Sequence, residues 1–172
     1  MIEVRAERAE DAGAVWHVNE LAFGRAGEAD LVDALRANAR PHVSLVAVEE
    51  GEGGEVVGHI FYSPVTVEPE AGGLLLMGLG PMAVLPRLQK GGVGARLIHE
   101  GLGECRRLGC AAVVVLGHPT YYPRFGFAPA SRLGLRCVYD VPDEVFMAQE
   151  LTPGALDGRR GLVKYHPAFD AV

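Results

Sequence analysis

Apolar positions along the chain recur with two periods, and the switches between them outline a sheet interrupted by helices. Residues 2–6 alternate as a short first strand. Val15, Val18, Leu21 and Ala22 then recur at helical spacing, and Leu31, Ala34 and Leu35 repeat that spacing over residues 28–38. The intervening Phe23–Gly27 reads as a flexible connection, and Pro41 stops the second helix. Strand periodicity returns over 43–48 and 55–63, joined by the acidic, glycine-rich 49–54, and again over 74–84 after a turn at 69–73. Three such runs joined by short turns predict an antiparallel meander. Gly78, Gly80 and Pro81 fall inside the third run, and Pro81 has no N–H to donate, so pairing is expected to weaken there.

A third helix-forming pattern places Gly94, Leu97, Ile98, Gly101, Leu102, Cys105 and Leu108 on one side of a segment that ends at Gly109. Gly101 and Gly103 each cost this helix roughly 1 kcal/mol relative to alanine, and close packing on the sheet is one reason to keep them. The uninterrupted apolar run 110–116 then reads as a buried parallel strand, so strand, helix and strand form a right-handed crossover. Strands are also expected over 133–138, 145–150 and 162–165.

The junction between the third meander strand and its helix carries the candidate chemistry. Met82, Ala83 and Val84 end the strand, a short turn brings Arg87, Gln89 and Lys90, and Gly91, Gly92, Val93, Gly94 and Ala95 open the helix. Glycines there permit positive φ and close approach of a ligand, while the first helical N–H groups lack intrahelical acceptors. Such an end suits an anion such as a pyrophosphate, with Lys90 and Arg87 adding charge. Three glycines after a strand also occur as a plain turn. A Walker A loop is excluded because Ala95 and Arg96 follow Gly94, and a dinucleotide fingerprint because position 97 is Leu97.

What remains is Gln89, Gly92 and Gly94 in a Gln-x-x-Gly-x-Gly frame, and in this the chain resembles the GCN5-related N-acetyltransferase (GNAT) family. About thirty residues on, Tyr122 is followed at the family's spacing by Gly126 and Phe127, within Leu116, Gly117, His118, Pro119, Tyr121, Tyr122, Arg124 and Phe125. This phrase looks like the branch of small bacterial acetyltransferases, and with residues 146–156 and 163–169 the resemblance spans nearly the whole chain.

The resemblance implies an α/β (α+β) acyl-CoA N-acyltransferase fold. Its six- to seven-stranded sheet is mixed but mostly antiparallel, flanked by helices on both faces, with a splayed central strand pair whose gap holds the pantetheine arm. It implies acetyl-CoA as co-substrate and a small-molecule or peptide amine as acceptor. Met82, Ala83, Val84 and the loop from Gln89 to Ala95 would contact the cofactor, with a backbone N–H near Ala83 and Val84 holding the carbonyl oxygen. It also places the 23–27 connection beside the acceptor pocket, and a hairpin of the last strands over that pocket, with Asp140, Asp143 and Glu144 as an acidic rim or a solvated loop.

Acetyl transfer from a thioester to an amine needs an unprotonated amine, a stabilised carbonyl oxygen and a proton for the departing thiolate. Tyr122 suits the last task, since a phenol stays protonated at neutral pH. Tyr121 suits a pocket wall, Arg124 a reach toward the nucleotide, and His118 a proton relay. No acidic residue lies in 74–84, where many family members carry a glutamate. A water chain, Glu20, Glu28, His59, His118 or an amine that arrives neutral remain as ways to dispose of the proton. A CoA-binding module without catalysis is the rival reading; it needs the loop but not Tyr122. Nucleotide hydrolysis lacks its lysine–hydroxyl pair.

Composition narrows the class further. With 172 residues and 49% hydrophobic content, the chain suits one domain, 1–172, and is short for two. A net charge of −6 without a Lys/Arg cluster argues against a nucleic-acid surface. Three cysteines without CxxC spacing suggest neither a disulfide framework nor a metal site, and fit reduced thiols in the cytoplasm. The start lacks signal-peptide character, and no run reaches the ~20 apolar residues that span a bilayer. The oligomeric state stays open, a homodimer included.

Overall fold

The computed structural model describes residues 1–69 and 72–172. The strand β1 (Ile2–Ala6) pairs antiparallel with β2 (Val43–Glu49), β2 with β3 (Glu55–Glu68), and β3 with β4 (Leu76–Val84). β4 then runs parallel to β5 (Ala112–Leu116), across the crossover helix α3 (Val93–Arg107); β5 pairs antiparallel with β8 (Phe146–Glu150), which pairs antiparallel with β6 (Ala128–Pro129). The expected turn at 69–73 includes residues 70 and 71, which lie outside the described residues.

Helices cover both faces because β3 is apolar on both. Val93 and Leu97 of α3 approach Gly58 on one face, and the Tyr62 hydroxyl on the same face donates to the Ile98 carbonyl at 3.2 Å. On the other face His59 meets Asn19 of α1 (Ala12–Phe23), beside α2 (Gly27–Asn38). A Cβ at residue 101 would overlap the Tyr62 ring, whereas at 103 its nearest neighbour is the tip of Arg107 at 3.7 Å. Close packing therefore accounts for Gly101 and not for Gly103.

The splay of β4 from β5 has a local cause. The two strands pair only at Leu76–Gly78 against Ala112–Val114. Beyond that, Gly80 adopts φ 145° and Pro81 offers no N–H, while the β3 register shifts between Ile60 and Tyr62. β4 stays on β3 to Val84 and β5 turns away with β8. Among the described residues, the edge of β4 that faces β5 has no strand partner over 79–84.

Several expectations need correction. Among the described residues the sheet has nine strands rather than six or seven: β6, at two residues, is too short to show a period, and β7 (Leu135–Cys137) fills the middle of the run expected over 133–138. Residues 130–133, partly read as strand, form a helical turn. The last strands make no hairpin: β9 (Gly161–Lys164) lies parallel to β7 and antiparallel to the far end of β3, which is why β3 runs past Ser63 to Glu68. Leu21 and Leu108 are exposed, and the position that α1 buries instead is Asn19.

Candidate active site

The loop between β4 and α3 is shaped by its own backbone. After a helical turn at Pro86–Leu88, Lys90 takes φ 67° and Gly92 φ 90°, so the chain reverses into α3. Gln89 donates its side-chain amide to the Val84 carbonyl at 3.0 Å, tying the loop to the end of β4. The first intrahelical bond runs from the Arg96 N–H to the Gly92 carbonyl at 3.1 Å. The N–H groups of Val93, Gly94 and Ala95 therefore point out of the helix with no intrahelical acceptor.

These donors open onto a cleft of about 740 Å³ between β4 and the turn after β5. Met82, Ala83, Val84, Gln89, Lys90, Gly92, Gly94, Ala95, His118 and Tyr122 all line it, as do Tyr121 and Arg124. Gly91 and Val93 do not; the Val93 side chain is buried against Gly58. Arg87 is a correction as well. Its guanidinium reaches Glu55 at 2.9 Å and Glu49 at 3.2 Å, at the ends of β2 and β3, and adds no charge to the cleft.

Tyr122 begins the helical turn Tyr122–Phe125 after β5. A Cβ at residue 117 would overlap its ring, so Gly117 makes its seat. Tyr121 and Phe127 meet the ring edge-on at 5.1 and 5.8 Å. Burial, with a smaller contribution from Tyr121, pushes the Tyr122 phenol up to about 12. Tyr121 is the expected wall: its hydroxyl would stand 3.1 Å from a Cβ at residue 94, and the Arg124 guanidinium stacks over its ring at 4.6 Å.

A second cleft, of about 830 Å³, lies between the α1–α2 connection and the C-terminal segment. Phe23, Met82, His118 and Tyr122 line both clefts, so the two meet at the phenol. Of the four candidate proton acceptors, His118 and Glu28 line this second cleft; Glu20 lines neither. His59 is fully buried between Ser44 and Asn19, and burial followed by Arg36 lowers it to about 3, so it is a neutral structural imidazole. Tyr139, Tyr165, Phe169 and Asp170 also line the second cleft, whereas residues 140–144 do not. Sequence reading passed over these four because they reach the cleft only through the β7–β9 pairing, which has no local signature.

The profile of the family described as "Acetyltransferase (GNAT) family" matches residues 12–127, from α1 through the Tyr122 turn. The chain belongs to the GNAT acetyltransferase family. Among GNAT relatives, an uncharacterized N-acetyltransferase of Escherichia coli K12, YjhQ, is 44% identical over 148 residues, 83% of this chain and 80% of that protein. The crystal structure of E. coli YhbS, a GNAT N-acetyltransferase solved in complex with CoA, superposes with a TM-score of 0.90 at 35% identity, covering 98% of this chain and 92% of that one. A GNAT acetyltransferase from Brucella melitensis in complex with acetyl-CoA gives a TM-score of 0.78 at 39% identity, covering 99% of each chain. Among the described residues, no helix is long and apolar enough to cross a membrane.

Proposed function

We propose that this chain, acting as one domain over 1–172, transfers an acetyl group directly from acetyl-CoA to the primary amine of a small acceptor. The meeting of two clefts at Tyr122, beside a strand edge that has lost its partner, carries this reading. In the first cleft, the N–H groups of Val93, Gly94 and Ala95 and the Lys90 ammonium receive the pyrophosphate. Along 79–84, alternate backbone groups of β4 face the gap and pair with the pantetheine amides, as a further strand would. The thioester then lies near Met82, with a backbone N–H at Ala83 or Val84 on its carbonyl oxygen.

The amine nitrogen attacks the thioester carbon, and the C–S bond breaks as the carbonyl re-forms. Tyr122 gives its phenolic proton to the departing thiolate, the ammonium proton leaves through His118 or water to solvent, and solvent returns one proton to the Tyr122 phenolate. The products are an N-acetylated amine and CoA thiol. A phenol raised to about 12 stays protonated through neutral pH and is a donor throughout.

One observation favours a second reading, a CoA-binding sensor without turnover: β4 carries no carboxylate to serve as base. Calorimetric titration with acetyl-CoA, followed by a thiol-release assay over an amine panel, separates the two. Binding with thiol release supports the transferase, binding without release for any amine supports the sensor, and no binding removes both.

A further inference from the structure

The walls of the second cleft are aromatic on the side away from Tyr122. Tyr139 and Tyr165 lie nearly parallel, 22° between planes and 6.0 Å between centroids, and Phe169 tilts against Tyr165 at 5.2 Å. Gly78 on β4 makes this possible, since a Cβ there would come within 2.7 Å of the Tyr165 ring. Across the cleft Phe23, at the end of α1, is 41% exposed, an uncovered ring at the junction with the cofactor cleft.

Charge in the cleft is sparse. Among the described residues, the ionisable side chains that line it are Arg25, Glu28 and Asp170, besides His118 and the tyrosines. Arg25 grips both carboxylate oxygens of Glu28, at 2.8 and 2.5 Å, so that pair cancels. Asp170 has no ion-pair partner among the described residues, and its side of the cleft is exposed. One uncompensated carboxylate matches one cationic centre. A polyamine or an aminoglycoside presents several, and would leave all but one unpaired against apolar walls.

We infer that the acceptor is a primary amine with a single cationic centre on an aromatic body, an arylalkylamine in chemical type. This rests on the acetyl-CoA reading of the adjoining cleft. Asp170 draws the ammonium to the mouth, the ring of the acceptor lies against Tyr139 and Phe23, and the amine end reaches Tyr122 and His118. The apolar surroundings disfavour the charged amine, which compensates for the carboxylate that β4 lacks.

The test is a thiol-release assay at saturating acetyl-CoA with 2-phenylethylamine, n-butylamine, spermidine and a 2-deoxystreptamine aminoglycoside. The expected order puts 2-phenylethylamine first in kcat/KM by about tenfold or more over each of the others, the discrimination that apolar pockets provide. Tyr139→Ala should erase most of that preference over n-butylamine by raising KM for 2-phenylethylamine, with the KM for acetyl-CoA unchanged. Asp170→Asn, at an exposed position, should raise KM for 2-phenylethylamine at low salt and converge on wild type at high salt. Equal or better turnover of spermidine or the aminoglycoside overturns the inference, as does an intact preference in folded Tyr139→Ala. Calorimetry with acetyl-CoA keeps the two readings apart: a failure to bind it removes the transferase reading and this inference together, whereas binding with the wrong order of amines removes this inference alone.

Discussion

At the scale of single residues, burial does the chemical work. Tyr122 is a phenol among aromatic edges, seated where Gly117 leaves room, and desolvation rather than a hydrogen bond keeps it protonated. Tyr122→Phe should therefore retain acetyl-CoA affinity while lowering thiol release at neutral pH by about a hundredfold, the low end of the range for loss of a general acid. An unchanged rate would take Tyr122 out of the reaction. Because the phenol ionises only near 12, the wild-type rate should show no Tyr122-dependent fall up to about pH 10, where an exposed tyrosine would already be half ionised. The place of Tyr122 in the cleft was legible because its spacing to Gly126 and Phe127 is fixed within one turn. Arg87 was not, because the carboxylates that claim it, Glu49 and Glu55, stand 38 and 32 positions away and meet it only in the folded sheet.

At the scale of elements, the loop and α3 frame the site proposed for the pyrophosphate, and two glycines of the helix separate packing from propensity. Gly101→Ala drives a methyl into Tyr62 and should destabilise the protein by about 1–3 kcal/mol. Gly103→Ala meets nothing closer than the Arg107 tip and should stabilise it by about 1 kcal/mol. Urea unfolding of both variants checks the pair; opposite signs are required, and two losses would mean that Gly103 is also held by packing. At the N-terminus of the helix, Gly94→Val places a branched side chain between Met82 and the Tyr121 hydroxyl, in the mouth of the donors, and should abolish binding of acetyl-CoA by calorimetry. Intact affinity would move the pyrophosphate elsewhere. Long elements with a steady period, such as α2, α3 and β2, could be read from the chain within a residue or two. In the C-terminal third the runs at 133–138, 145–150 and 162–165 do mark β7, β8 and β9, but β6 spans only two residues and β9 chooses β3 and β7 over a neighbour in sequence, so the pairing could not be read.

At the scale of the whole molecule, the face that carries α1 is joined to the sheet through a polar contact that hydrophobic patterning cannot reveal. The Nε2 of His59 lies 2.8 Å from the Ser44 hydroxyl and its Nδ1 lies 3.4 Å from the Asn19 amide of α1, the helix that ends at Phe23 where the two clefts meet. Sequence reading offered His59 as a proton acceptor because a histidine on a strand is chemically versatile; full burial makes it a structural clamp instead. Its proton affinity in the folded state is depressed to about 3 from 6.5, by burial first and then by the Arg36 charge. The unfolded chain thus binds a proton in a range where the folded chain does not. Stability is fully present above about pH 6.5 and is lost as pH falls toward 3, at roughly 1.4 kcal/mol per pH unit once below 6. Asp11 and Glu28, held below the usual carboxylate range by Arg5 and Arg25, lose their contribution only as pH falls below about 4.5, so the interval above that isolates the histidine. Urea unfolding between about pH 4.5 and 7 should show this slope in the wild type, and His59→Gln, compared with its own value at pH 7, should flatten it. A slope that survives in folded His59→Gln would place the acid sensitivity at another group and leave α1 held to the sheet by apolar contacts alone.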